Sequence, residues 1–105
     1  MTITREELHA RLGSVTVLDT LGGSYYAQQH LPGAIALVES EVAERAAELL
    51  PDKDATIVTY CSNPACGNSK AVANRLTALG YTDVRRYAEG IEDWVGAGLP
   101  VESSL

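Results

Sequence analysis

Short apolar runs rich in β-branched residues alternate along this chain with segments whose apolar residues recur at helical spacing. The clearest run covers 55–60, and shorter ones cover 15–18, 34–37 and 84–87. Turns or helical segments separate these runs. Strands that alternate with helices through short connections predict an α/β domain, in which a mostly parallel central sheet has helices on both faces.

The helical segments carry start signals. Thr4, with Glu7 three positions later, forms a capping-box pattern for an opening helix. Ser40 is expected to cap a helix over 41–50. Further helical segments are predicted at 25–29, 69–79 and 91–95.

The bulk composition limits the class of protein and its partners. We expect a single domain over 1–105, because 105 residues with 46% hydrophobic content can bury a core without metal or disulfide support. A net charge of −6 argues against nucleic acid or an anionic membrane as a partner, since both attract basic surfaces. The sequence has no apolar run of about 18 residues and no secretory signal at its N-terminus. A cytoplasmic location with reduced cysteines is therefore expected.

Both cysteines lie in one segment of small and polar residues, Tyr60 to Ser69, between the clearest strand and a helix. Cys61 directly follows the strand, and active loops of parallel sheets lie at the carboxyl ends of strands. Backbone N–H groups of such a loop, together with the dipole of the next helix, stabilise an anion and lower the pKa of a thiol. We therefore predict Cys61 as the catalytic nucleophile. The expected anion-cradle loop consists of Ser62, Asn63, Ala65, Cys66, Gly67, Asn68 and Ser69.

A metal site is not expected. Two cysteines cannot form a four-thiolate zinc site, and His9 and His30 lie at no recognised ligand spacing from them.

Several short motifs follow one another across nearly the whole chain. They are Val17-Leu18-Asp19, His30-Leu31-Pro32-Gly33-Ala34-Ile35, Ile57-Val58-Thr59-Tyr60-Cys61, Leu79-Gly80-Tyr81, Glu89-Gly90-Ile91-Glu92-Asp93-Trp94 and Ala97-Gly98-Leu99-Pro100-Val101. Each one alone is a weak turn or packing pattern. Together, in this order, they resemble the rhodanese-like domain family, which includes single-domain sulfurtransferases. The resemblance implies a three-layer α/β fold.

The resemblance also implies a reaction. The Cys61 thiolate would take the outer sulfur of a small donor (a persulfide, a polysulfide or thiosulfate) and hold it as a persulfide. The sulfur would then pass to a thiol or cyanide acceptor, with no metal or organic cofactor. A protein partner is left open.

The loop departs from the family pattern, which is similar to Cys-Arg-Ser-Gly-Asn-Arg-Ser in active members. Here Ser69 stands eight positions after Cys61, about two more than in that pattern, and no residue from 61 to 69 is charged. Thiosulfate is a dianion, and family members use such arginines to bind it. We therefore expect weak thiosulfate activity and a better fit to a persulfide or polysulfide donor.

Cys66 gives the loop a second or resolving thiol. Its thiolate could attack an oxidised or persulfidated Cys61 and form an intra-loop disulfide. The position at the strand end favours Cys61 as first nucleophile, but alignment backward from Ser69 brings Cys66 nearer the cradle, so the order stays open. Two alternatives follow: a dithiol redox or sulfide-sensing protein that uses Cys61 and Cys66, and a catalytically weak protein-binding module.

Asp19 and His30 are predicted as supporting residues. Asp19 ends the first strand, at the edge where the active loop is expected, and would orient loop groups or a helix terminus. His30 opens one of the motifs and is expected to bond the backbone and fix a turn.

Overall fold

A parallel sheet of four strands forms the centre of the protein in a computed structural model that describes residues 1–104. The strands are β1 (Thr16–Asp19), β2 (Ile35–Ala36), β3 (Thr56–Tyr60) and β4 (Asp83–Tyr87), in the order β2-β1-β3-β4. Every pair of neighbouring strands is parallel. Since parallel strands end at the same edge, the segments that follow β1 and β3 lie side by side there.

Five α-helices cover the two faces of the sheet in the described part of the chain. They are α1 (Arg5–Arg11), α2 (Gly23–Gln28), α3 (Val42–Leu49), α4 (Asn68–Ala78) and α5 (Gly90–Gly96). One hydrophobic cluster joins the sheet to α1, α2 and α5, and a second cluster joins it to α3 and α4. This arrangement confirms the predicted α/β fold with helices on both faces.

Successive side chains of each strand belong alternately to the two hydrophobic clusters. Val17 and Val58 face the cluster that contains Trp94, whereas Leu18 and Ile57 face the other. Successive side chains of a strand point to opposite faces, so short β-branched runs buried on both faces serve both cores. Cys61 directly follows β3, in the part of the chain that passes to the N-terminus of α4.

The predicted start signals had mixed outcomes. The Glu7 N–H donates to Thr4 Oγ1 at 3.1 Å, which confirms the cap of α1. Ser40 does not cap α3, and that prediction was wrong. It lies inside a 3₁₀ turn, Glu39–Glu41, which leads directly into α3 and leaves its first turn without a side-chain cap. The strand predicted over 34–37 is shorter, because only Ile35 and Ala36 pair with β1.

A polar cluster ties β4 to the helices α1 and α5. Arg5 donates to both carboxylate oxygens of Asp93 at 2.9 and 3.1 Å, and the Tyr87 hydroxyl donates to Asp93 at 2.6 Å. These bonds, with the Tyr87 bond as the larger influence and burial opposing it, hold the pKa of Asp93 below its ordinary value.

Within residues 1–104, no helix is both long and apolar enough to cross a membrane.

Candidate functional site

The two cysteines lie at the carboxyl edge of the sheet, in the loop that joins β3 to α4. Cys61 follows the last strand residue and is only 1% exposed, whereas Cys66 is half-buried. Both are free thiols. The structure therefore brings the predicted nucleophile and the predicted second thiol together.

The loop folds around Asn63. The Cys66 N–H donates to the Asn63 carbonyl at 3.1 Å, and the Ala65 N–H donates to Asn63 Oδ1 at 3.0 Å. The Asn63 side chain also donates to Glu92 on α5 at 3.0 Å. Two N–H groups of the predicted cradle are thus bonded inside the loop and are not available to an anion. The reason is that Asn63, directly before Pro64, closes a turn with its own carbonyl and side chain.

The sulfur of Cys61 has two polar neighbours. It lies 3.3 Å from the Cys66 carbonyl oxygen and 3.3 Å from Ser69 Oγ, and Ser69 is fully buried. Burial raises the pKa of the Cys61 thiol, and the nearby Cys66 thiol raises it further. The hydroxyl and N–H of Ser69 act in the opposite direction but do not offset burial. The expectation of a lowered pKa at Cys61 was therefore wrong, because desolvation of a thiolate at this depth exceeds the effect of the loop donors.

Cys66 has the environment that was expected for Cys61. Burial alone would raise the pKa of the Cys66 thiol, but hydrogen bonding with the Cys61 thiol and with backbone groups outweighs it and lowers the pKa. The backbone bonds come from Asn68 and Ser62, and the Ser62 hydroxyl adds another. Two backbone groups of the predicted cradle loop, those of Asn68 and Ser62, thus act on the second thiol.

Arg86 brings a positive charge to this uncharged loop from the neighbouring strand β4. Its Nε donates to Ser69 Oγ at 2.8 Å, and one of its Nη atoms donates to the Cys66 carbonyl at 3.3 Å. Both acceptors are the groups that also contact the Cys61 sulfur.

Asp19 supports the edge of the sheet from β1. It is fully buried, accepts from the Tyr60 hydroxyl at 2.8 Å and accepts from the Leu21 and Gly22 N–H groups that lead into α2. Burial, followed by the charge of Asp19, raises the pKa of Tyr60 far above its ordinary value. Asp19 therefore fixes backbone, and no contact in residues 1–104 joins its carboxylate to either cysteine.

Thr20 connects β1 to the cysteine loop. It donates to the Tyr60 carbonyl through its N–H at 3.0 Å and through its hydroxyl at 2.8 Å. Its own carbonyl accepts from the side chain of Asn68 at 3.4 Å. The start of α4 is thus linked to the end of β1.

His30 fixes the chain away from the thiols. Its Nδ1 lies 2.7 Å from the Tyr26 carbonyl, its ring stacks on that of Tyr26 at 3.9 Å, and its backbone pairs with Glu102. These contacts bond the backbone around a turn, as expected from its motif.

Gly90 allows α5 to approach the base of the loop. Its φ is +76°, and an added Cβ would lie 2.5 Å from the Ser62 carbonyl carbon and oxygen. The next two N–H groups, of Ile91 and Glu92, donate to the Cys61 and Ser62 carbonyls at 2.9 and 3.0 Å. Only glycine combines this φ with so close an approach.

A shallow cleft of about 180 Å³ opens beside the loop. It is lined by Leu21, Tyr25, Gln28, Gln29, Ser62, Ile91 and Glu92. Glu92 is the charged side chain of this lining, so the cleft does not attract an anion. Among residues 1–104, no group of three or more His, Cys, Asp or Glu side chains is arranged to hold a metal ion.

The sequence pattern predicted no role in the site for Arg86, Gly90 or Thr20. One available signal was the pair Arg85-Arg86 on a strand, since neighbouring side chains of a strand point to opposite faces and one of them had to face α4.

The comparisons with known proteins agree with this geometry. The chain matches the rhodanese-like domain family over residues 4–97. It is 39% identical over 102 residues to the HTH-type transcriptional regulator Rv0324 of Mycobacterium tuberculosis, covering 95% of this chain and 44% of the regulator. It is also 39% identical over 69 residues to the thiosulfate sulfurtransferase PspE of Escherichia coli, covering 65% of this chain and 62% of that protein. The chain thus spans less than two thirds of either curated relative.

Solved structures share the fold. The crystal structure of the BH2092 protein from Bacillus halodurans has a TM-score of 0.89 and 27% identity, covering 99% of this chain and 77% of that one. With its parallel sheet and its cysteine loop at the carboxyl edge, this chain belongs to the rhodanese-like domain family.

Proposed function

We propose that the protein is a sulfurtransferase that carries sulfur as a persulfide on a loop cysteine and passes it to a thiol or cyanide acceptor. The observation that carries this proposal is the pair of free thiols at the carboxyl edge of the sheet, where the Cys61 thiol, followed by loop backbone groups, lowers the pKa of Cys66 against the effect of burial. The similarity to a thiosulfate sulfurtransferase supports the reaction class.

The reaction needs no net oxidant. A loop thiolate attacks the outer sulfur of a persulfide donor, a new S–S bond forms on the protein, and the donor leaves as a thiolate. An acceptor thiolate then attacks the outer sulfur of the protein persulfide and restores the protein thiolate. The cycle requires reduced cysteines, which is their normal state in the cytoplasm, the location that we propose.

The proposal keeps both predicted cysteines and gives the first attack to Cys66. The thiolate is the nucleophile, and it forms at lower pH on Cys66, whose pKa is lowered, than on Cys61, whose pKa is raised. Cys66 is also the more exposed of the two. Cys61 then acts as the buried second thiol.

The charges near the loop offer no binding site for the charged oxygens of thiosulfate. The cleft beside the loop carries Glu92, and Arg86 reaches the loop through Ser69 and a carbonyl. A dianion such as thiosulfate therefore meets no charged side chain of the loop itself. We propose persulfide or polysulfide as the donor class, with slower turnover of thiosulfate.

Intact-mass spectrometry tests the proposal. The reduced protein is treated in turn with polysulfide, thiosulfate and peroxide, alongside the variants Cys61→Ser and Cys66→Ser. We expect a gain of one sulfur atom with polysulfide, retained in Cys61→Ser and lost in Cys66→Ser. If only Cys61→Ser failed to gain the sulfur atom, Cys61 and not Cys66 would be the first nucleophile. The absence of any gain in all three proteins would reject the sulfurtransferase.

A dithiol redox or sulfide-sensing role is the second candidate. It is favoured by the closeness of the two thiols, each of which shifts the pKa of the other, and by the similarity to a transcriptional regulator. In this route the Cys61 thiolate attacks the inner sulfur of a Cys66 persulfide, a disulfide forms, and hydrosulfide leaves. Loss of two hydrogens after polysulfide, without a lasting gain of sulfur, would favour this role.

A further inference from the structure

We propose that Arg86 is a positioning residue that supplies the positive charge missing from the loop, and that it acts on Cys61 through the Ser69 hydroxyl. The inference concerns the ionised form of Cys61, the second thiol of the proposed site, and rests on the proposed function for its biological meaning. Its geometry involves a strand outside the loop, β4, and a buried serine at the start of α4.

The direction of the hydrogen bonds follows from the chemistry of the groups. A guanidinium only donates, so Ser69 Oγ accepts from Arg86 Nε at 2.8 Å. The hydroxyl hydrogen of Ser69 is then left for the Cys61 sulfur, 3.3 Å away. Such a hydroxyl, polarised by a cation, stabilises a thiolate better than it stabilises a neutral thiol.

The second bond of Arg86 acts on the same sulfur. The Cys66 carbonyl lies 3.3 Å from the Cys61 sulfur, where it accepts from a neutral thiol and repels a thiolate. Because Arg86 also donates to this carbonyl at 3.3 Å, the guanidinium offsets part of the repulsion. Both contacts of Arg86 therefore favour the ionised form of Cys61.

No carboxylate of the described residues neutralises the charge of Arg86. Among the ion pairs of residues 1–104, none includes Arg86. The adjacent Arg85 points to the opposite face and pairs with Glu7 at 2.9 Å and with Asp83 at 3.0 Å. Arg85 is therefore a matched control on the same strand, with the same charge and no contact with the loop.

The test measures the pKa of Cys61 in a Cys66→Ser background, from the pH dependence of alkylation by iodoacetamide followed by intact mass. Arg86→Gln is expected to raise this pKa by about one unit, the low end of the effect of a nearby opposite charge. Arg85→Gln is expected to leave it unchanged. Arg86→Lys, which keeps the charge but loses the forked donors, is expected to give a smaller rise.

A double-mutant cycle separates the effect that Arg86 exerts through the Ser69 hydroxyl, called the relay below, from a general effect of its charge. In a Ser69→Ala background, Arg86→Gln should add little further shift to the pKa of Cys61. An unchanged pKa in Arg86→Gln, or an equal rise in Arg85→Gln, would overturn the inference. If Arg86→Gln fails to fold by circular dichroism, Ser69→Ala alone decides, since an unchanged Cys61 pKa in that variant refutes the relay.

Alkylation uses no sulfur donor, so this test stands apart from the proposed function. A protein that forms no persulfide but shows the Arg86-dependent pKa would reject the sulfurtransferase and keep the relay. A protein that forms a persulfide, but whose Cys61 pKa is unchanged by Arg86→Gln, would keep the sulfurtransferase and reject the effect of Arg86 on Cys61.

Discussion

Replacing Gly90 with alanine should destabilise the protein through two separable costs. The residue has a φ of +76°, and an alanine there adopts a left-handed backbone at a cost of about 1–2 kcal/mol. Its Cβ would also lie 2.5 Å from the carbonyl carbon of Ser62 and 2.6 Å from the carbonyl oxygen of Cys61. These atoms are backbone and cannot rotate away, so the base of the cysteine loop must shift.

Gly98 provides the matched control. It has the same φ of +76°, and nothing lies within 4 Å of the Cβ that alanine would add. Both substitutions reduce the entropy of the unfolded chain by a similar amount, so that contribution cancels in the comparison. The difference between the two variants therefore measures the steric cost against the loop.

Urea unfolding followed by circular dichroism gives the free energy of unfolding of each variant. We expect Gly90→Ala to lose about 2 kcal/mol more than Gly98→Ala, from the usual cost of about 1–3 kcal/mol for overpacking. A difference below about 0.5 kcal/mol, the usual error of additivity, would refute the close approach of α5 to the loop. Faster alkylation of Cys61 in Gly90→Ala would show that the displaced segment is the base of the loop.

Three further predictions concern buried polar groups and the thiols. Tyr60→Phe removes the hydroxyl that donates to the buried Asp19 carboxylate at 2.8 Å, and should lower the free energy of unfolding by about 1.5–3 kcal/mol. A loss near zero in urea unfolding would contradict that bond. Because the pKa of Asp93 is held below 3.8, its stabilisation is present above that pH and is lost as the pH falls through the folded pKa. The parent should therefore lose stability more steeply than Asp93→Asn in acid unfolding curves below about pH 4, and parallel curves would count against this. At neutral pH, peptide mapping should show faster alkylation of Cys66 than of Cys61, since only the former has a lowered pKa. Equal or reversed rates would contradict the order of the two pKa values.

The layered fold could be predicted from the sequence because its signals are local. The β-branched run at 55–60 and the capping pattern of Thr4 each depend on a few neighbouring residues, and both elements formed where they were expected. Ser40 does not cap α3 because a 3₁₀ turn leads directly into that helix. A capping serine needs an extended backbone conformation just before the helix, and no residue has it there. Propensity alone does not distinguish these two ways of starting a helix.

The candidate site depended on contacts between distant segments. The strand-end position of Cys61 could be predicted, but the depth at which its sulfur lies depends on how α5 and α4 pack around the loop. The same holds for Arg86, whose role depends on the placement of Ser69 across from it. Asn63 used two loop N–H groups that the sequence suggested for an anion, because local turn bonds competed with the cradle.

Transfer of sulfur from the protein to an acceptor tests the central proposal most directly. The protein is loaded with polysulfide, freed of the donor by gel filtration and mixed with a mass-tagged small thiol, with the double variant Cys61→Ser/Cys66→Ser as the control. We expect the parent to gain one sulfur atom and to lose it to the tagged thiol, which becomes a persulfide, while the double variant gains none. A parent that takes up no sulfur, or that releases it only as hydrosulfide while forming a disulfide, would contradict the sulfurtransferase.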